Sequence, residues 1–265
     1  MDLQLDDRTV IVTASTKGLG YACGRQLAAE GANVVLCSRS AERTQAAVEH
    51  VVSETTAESN SILGIACDMT NPDDIVALVE QTVETFDGVD MLVANHGGPP
   101  AVRFEAASDE QWINAYTGVI TGTRWLIECS LPHLQESEIG SLVVITSASA
   151  RESTPRDIFS NVFRLGLYGL TKTISHEYAP EVRANVVSPR FILTDRIKYK
   201  IKRRAEQQEM SIEATRQSRT DEIALNRPGK PSEFADAVTF MLSPRASYIT
   251  GEVLSVDGGW SRSVL

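Results

Sequence analysis

No run of about eighteen apolar residues occurs anywhere in this 265-residue chain, which argues against a membrane-spanning helix. The N-terminal M-D-L-Q-L-D-D-R is charged and lacks the apolar centre of an export signal, so a cytoplasmic location is expected. Cysteine is scarce: Cys23, Cys37, Cys67 and Cys129 lie far apart with no CxxC pair, the signature of neither a disulfide framework nor a zinc site, and no metal is expected. Positive charge is also in deficit. With 25 Lys and Arg against 35 Asp and Glu the net charge is -10, unsuited to displacing counterions from nucleic acid. There is no internal repeat and no linker-like stretch, so residues 1–265 are expected to form one domain.

What the chain does have is a pattern. At 42% hydrophobic and 23% charged it can bury a sizeable core, and short β-branched runs alternate with segments of helical period. That alternation predicts an α/β fold, a doubly wound parallel sheet of about seven strands covered by helices on both faces. The expected strands are Thr9 to Thr13, Asn33 to Cys37, Ser61 to Cys67, Met91 to Ala94, Ser141 to Thr146, Arg183 to Ser188 and Val253 to Val256. A helix is expected from Gly18 to Glu30, stopped by Gly31, and a polar loop at Ser53 to Asn60. Asn71-Pro72-Asp73-Asp74 opens another helix with a cap, a first-turn proline and two acids. Ser108 to Gln111 reads as a capping box for a helix toward Leu131, and a long helix ends near Tyr178. Thr194 to Leu225 reads as a helical insertion and Ser232 to Leu242 as a further helix.

The first strand runs into T-A-S-T-K-G-L-G, Thr13 to Gly20, and straight on into a helix. Glycines here let the backbone approach a pyrophosphate, and a helix N-terminus offers it free N–H groups. In this setting the segment resembles the T-G-x-x-x-G-x-G of the short-chain dehydrogenase/reductase family, with Ala14 in place of the first glycine. The resemblance continues along the chain through Asp68, Asn95 and Gly97 in V-A-N-H-G-G, Ser188-Pro189-Arg190, Thr194, and Y-I-T-G-E-V-L-S-V-D-G-G from Tyr248 to Gly259.

By that resemblance, Thr13, Ser15, Thr16, Lys17, Gly18, Leu19 and Gly20 form the pyrophosphate turn, while Asp68 and Met69 meet the adenine side. Asn95, Gly97, Pro189, Ile192 and Thr194 are implied on the nicotinamide side, and a homotetramer or homodimer is implied for the assembly. Charge selects between cofactors. An acid at the end of the second strand would favour NAD(H), whereas this chain has Ser38-Arg39 there and Lys17 in the turn, so NADP(H) is expected.

The family's members reduce carbonyls with a tyrosine, a lysine four residues later, a serine about thirteen residues before the tyrosine and an asparagine on the preceding helix. Tyr168 and Lys172 make a Y-x-x-x-K string, but the family pattern continues as A-G-x-x-G-L-T-K, and here Leu165 to Lys172 is L-G-L-Y-G-L-T-K. That register puts Ser160 at the tyrosine position and Arg164 at the lysine position, with Ser147 in I-T-S thirteen residues before Ser160. Eight residues are roughly 12 Å along a helix, so the two registers exclude each other. Counting from Trp112 places Val119 at the asparagine position.

The catalytic candidates are therefore Ser147, Ser160 and Arg164, with Arg164 also a candidate ribose contact. His96, Arg151, Arg156 and Tyr116 are possible substitutes for the missing acid, whereas His133 and His176 read as ordinary helix residues. The stretch R-I-K-Y-K-I-K-R-R, Arg196 to Arg204, lies in an insertion that covers the substrate in the family. It suits an acidic or carrier-bound small-molecule substrate, or else pairs with Glu206, Glu209 and Glu213. Two functions stay open: an NADP(H)-dependent oxidoreductase acting on a 3-oxoacyl thioester or sugar-like carbonyl, and an NADP(H)-binding protein with little or no turnover, serving as sensor or inactive partner.

Overall fold

In the computed structural model, which describes residues 1–262, the strands are β1 (Thr9–Val12), β2 (Asn33–Ser38), β3 (Ile62–Ala66), β4 (Met91–Ala94), β5 (Ser141–Ile145), β6 (Arg183–Pro189) and β7 (Val253–Val256). They form one parallel sheet in the order β3-β2-β1-β4-β5-β6-β7. Strand alternation explains why these runs are apolar throughout. Val10 and Val12 enter one core and Ile11 the other; Val34 and Leu36 divide from Val35 and Cys37 in the same way.

The first core lies under α1 (Gly18–Ala29), α2 (Ala41–Glu54) and α9 (Pro231–Leu242), and the second under α3 (Pro72–Phe86), α5 (Gly122–Glu136) and α6 (Ile158–Glu177). Helix α2 runs into the stretch expected as a polar loop because Ser40 caps it and Thr44, Ala47, Val48 and Val51 give it a buried stripe. The helix from Ser108 has its capping box. It is α4 (Asp109–Tyr116), a π-turn over Thr117–Thr121, and then α5, which continues past Leu131. The insertion folds as α7 (Asp195–Gln208) and α8 (Ile212–Thr220), broken at Glu209 with φ +52. Phe191, Ile201 and Ile223 form a small third core beneath it.

The sheet order reverses between β1 and β4, and a crevice at such a reversal lies at the strands' C-terminal ends. Two hydrogen bonds hold its edges together there: Asn95 N–H donates to Thr13 Oγ1 at 2.8 Å, and that hydroxyl donates to the Asn95 carbonyl at 2.6 Å. No helix among the described residues is long and apolar enough to cross a membrane.

Candidate active site

The turn after β1 is built for close approach. Gly18 is left-handed at φ +65, and a Cβ on Gly20 would lie 2.5 Å from the Ala14 carbonyl oxygen and 2.8 Å from Asn95 Nδ2. Ala14 keeps the backbone that a glycine would supply, at φ +49. Thr13 and Ser15 are fully buried, and Ser15 Oγ accepts from Cys37 N at 2.9 Å, so both shape the turn from behind. Thr16, Lys17, Gly18 and Leu19 keep exposed surface on its open side.

The glycine turn leaves backbone donors free. Helix α1, which it opens, has, like α6, no side-chain cap and no acid in its first turn. Its N–H groups are left for a phosphate. Lys17 and Arg39 are exposed, and neither has an ion-pair partner among the described residues. Arg43, on the first turn of α2, is a third unpaired cation that the sequence reading passed over. Ser38 Oγ is engaged at the start of α2, 2.9 Å from Thr44 Oγ1. Asp68 holds the following turn by accepting from Thr70 N at 3.0 Å, and Met69 packs beside Gly122. The donor set, the Gly20 contact and the free helix end fit a dinucleotide with an extra phosphate.

Across the crevice, Pro189 ends β6, Ile192 is buried and bridges to Gly229, and Thr194 begins α7 with no side-chain cap. A Cβ on Gly18 would lie 3.7 Å from Thr194 Cγ2, so the two sides face each other. Gly97 is exposed in the loop after β4.

The residues at the catalytic positions come together. Arg164 is half-buried with its Nε enclosed, and its Nη1 donates to the Thr146 carbonyl at 2.5 Å, next to Ser147. Ser160 lies one turn earlier on the same face of α6, with 8% exposure. Ser147 Oγ accepts from Ser149 N at 3.3 Å and from Ser149 Oγ at 3.0 Å, so its own proton is available to a ligand. An aromatic cluster sets α6 in this place: Trp112 meets Phe159 and Phe163 edge-on at 5.0 and 5.5 Å. Such pairs each contribute about 0.5–1.5 kcal/mol beyond burial, and they flank Ser160 and Arg164.

Tyr168 is tied to the end of β6, and Lys172 lies elsewhere. Tyr168 Oη donates to Ser188 Oγ at 3.2 Å, and Lys172 Nζ donates to the Gly251 carbonyl at 3.1 Å. Gly251 pairs with Ala184 at the N-terminal end of β6, away from the crevice. Val119 is buried in the π-turn and presents no polar group.

His96 needs correcting as a proton donor. Burial, then the charge on Arg164, push its pKa down to about 3. Its Nδ1 faces the Gly97 carbonyl at 3.0 Å and is therefore the protonated nitrogen, leaving Nε2 as a buried acceptor without a partner. The ring is neutral at pH 7, and its free nitrogen, Nε2, can only accept. Of the other substitutes, Tyr116 is half exposed and packs on Phe163, and Arg151 reaches Ser255 Oγ at 3.4 Å. Arg156 lines a recess of about 230 Å³ with Thr154 and Asn161.

Among the described residues the basic stretch Arg196 to Arg204 makes no ion pair with Glu206, Glu209 or Glu213, and Glu213 pairs with Arg216 at 2.9 Å. Arg196 instead donates to the Gly98 and Pro99 carbonyls at 3.3 and 3.4 Å, bridging the crevice, and Lys200 Nζ lies 4.0 Å from Asp157.

Comparison with known proteins places these observations. The sequence model of the family described as enoyl-(acyl carrier protein) reductase matches residues 13–261. The 3-oxoacyl-[acyl-carrier-protein] reductase of Aquifex aeolicus is 30% identical over 260 residues, 98% of this chain and 99% of that one. L-sorbose reductase from Gluconobacter frateurii, solved with NADPH and L-sorbose, superposes at TM-score 0.94 with 26% identity over 100% of both chains. An NADPH-bound short chain oxidoreductase from Pseudomonas aeruginosa, described as containing an atypical catalytic center, superposes at 0.88 with 26% identity, covering 98% of this chain and 99% of that one.

Proposed function

Because the chain belongs to the short-chain dehydrogenase/reductase family, whose members are NAD(P)-dependent oxidoreductases acting on CH–OH and C=O groups, we propose that it is NADP(H)-dependent and uses Ser147, Ser160 and Arg164 for the chemistry. The observation that carries this reading is the guanidinium fixed beside Ser147 while its buried Nε stays without a partner. NADPH, when bound, supplies the hydride. Ser147 donates a hydrogen bond to the substrate carbonyl oxygen and orients it. Arg164 places a fixed positive charge where negative charge develops on that oxygen, the arrangement that lowers such barriers most. Ser160, a weak acid beside a phenol, relays a proton from water, and His96 Nε2 accepts a hydrogen bond at the same site.

Lys17 and Arg39 support NADP(H) over NAD(H), and the substrate is read as a 3-oxoacyl thioester or a sugar-like carbonyl. We take the chain as one domain with a lid over residues 194–225, cytoplasmic and homotetrameric or homodimeric. Apolar exposure at Ile113, Tyr116, Val162 and Leu165 on α4 and α6 supports the assembly. The replaced tyrosine favours a second reading, cofactor binding with little turnover, because a missing general acid costs about 10²- to 10⁴-fold in rate.

The test is NADPH oxidation by purified protein across ketones, 3-oxoacyl thioesters and sugars, beside thermal denaturation with each cofactor. The expected result is turnover, with NADPH stabilising more than NADH and Arg39→Asp reversing that order. Stabilisation by NADPH with no turnover on the whole panel would leave the second reading standing.

A further inference from the structure

Five cations gather on α6, just past β6 and on the insertion of a protein of net charge -10: Arg164, Arg190, Arg196, Lys200 and Arg219. They feel one another. Burial first, then like charge, lowers the pKa of each of Arg164, Arg190, Lys200 and Arg219. Among the described residues three carboxylates answer these five cations, which leaves two positive charges in excess; Glu222 also accepts from Trp260 Nε1 and Glu152 from Ser261 Oγ, each at 3.2 Å. The third, Asp157, reaches Lys200 alone, at 4.0 Å.

Packing fixes two of these cations beside aromatic rings. Arg190 stacks on the Trp260 ring at 3.7 Å and donates to Thr154 Oγ1 at 3.2 Å, while its buried Nε has no partner. Arg219 lies 5.3 Å from the Phe191 ring centre. Arg164, Arg190 and Arg219 are half-buried, where excess positive charge is costly and a bound anion offsets it, while Arg196 and Lys200 are exposed and free to reach that anion. That anion is not the cofactor's extra phosphate, because Arg39, expected at that phosphate, follows β2, four strand positions from β6.

We propose that the crevice binds a compact oxyanion on the substrate, a carboxylate or phosphate held by Arg190, Lys200 and Arg219 with Arg196 closing over it. The proposal rests on the reading of this crevice as the substrate side of an oxidoreductase site. It narrows the substrate class to anionic carbonyl compounds.

Two matched pairs test it: acetoacetate against methyl acetoacetate, and dihydroxyacetone phosphate against dihydroxyacetone. Each is titrated into the full chain saturated with NADP⁺, which blocks the other phosphate site, while tryptophan fluorescence is followed and Trp260→Phe serves as the control. The charged member of at least one pair should bind roughly 10- to 100-fold more tightly, the worth of a hydrogen bond to a charged group. Which pair responds tells carboxylate from phosphate. The charged-to-neutral ratio should collapse in Arg219→Met and in Lys200→Met and survive in part in Arg219→Lys, which guards against misfolding as the cause. Equal binding of charged and neutral members in both pairs would overturn the proposal. NADPH oxidation, read alongside, separates the two ideas: anion binding without turnover defeats the enzyme reading alone, and turnover of neutral ketones without charge preference defeats the anion site alone.

Discussion

Replacing Arg164 with methionine should make the cofactor-free protein more stable while weakening its function. The side chain stays charged at neutral pH, and burial together with Arg196 lowers its pKa to about 10, a measure of how poorly the folded state tolerates the charge. A displacement of that size corresponds to roughly 3 kcal/mol at pH 7. Against it stands the Thr146 carbonyl, which would lose its donor at a cost of about 1–3 kcal/mol. Methionine fills similar volume without a charge, so the net gain is roughly 1 kcal/mol, or about 2–4 °C in Tm for a chain of this size.

The functional side moves oppositely. If Arg164 holds the developing oxyanion, kcat should fall by about 10²- to 10³-fold, the usual loss for one such donor. Urea denaturation gives the stability, thermal shifts at saturating NADPH give cofactor binding, and NADPH oxidation gives the rate. A variant less stable by more than 1 kcal/mol with kcat unchanged would refute the reasoning, because Arg164 would then be an ordinary structural cation.

The remaining predictions address other links. The folded-state pKa of His96 lies below its unfolded value, so its stabilising effect is complete above about pH 6.5 and is lost as pH falls toward 3. His96→Ala should therefore flatten the fall in unfolding free energy between pH 6 and 4 by about 1.4 kcal/mol per pH unit, and an unchanged slope in urea melts would count against it. Ala14→Gly should stabilise by about 0.5–1 kcal/mol, since relief of about 1–2 kcal/mol of left-handed strain exceeds the added unfolded-chain entropy; a lower denaturation midpoint would contradict this. Tyr168→Phe should cost about 1 kcal/mol through the lost bond to Ser188 and leave kcat within twofold. A hundredfold loss of activity in that variant would show that residues 160 and 164 are misread.

The sequence by itself determined the α/β class, the seven strands, the glycine turn and the register that puts Ser160 and Arg164 on one helical face. These depend on local signals: alternation, caps, and spacing along a helix. The break in the helix from Ser108 was not legible, because it arises where Gly122 lies against the Met69 carbonyl, a contact between segments far apart in the chain. Nor was the charge state of His96, whose ordinary imidazole becomes a neutral acceptor only through burial beside Arg164. Where Lys172, set aside by its register, makes its bond was not legible either: it reaches Gly251, at the N-terminal end of β6. Tertiary structure decided these matters because burial and the distances between charges depend on which distant segments meet.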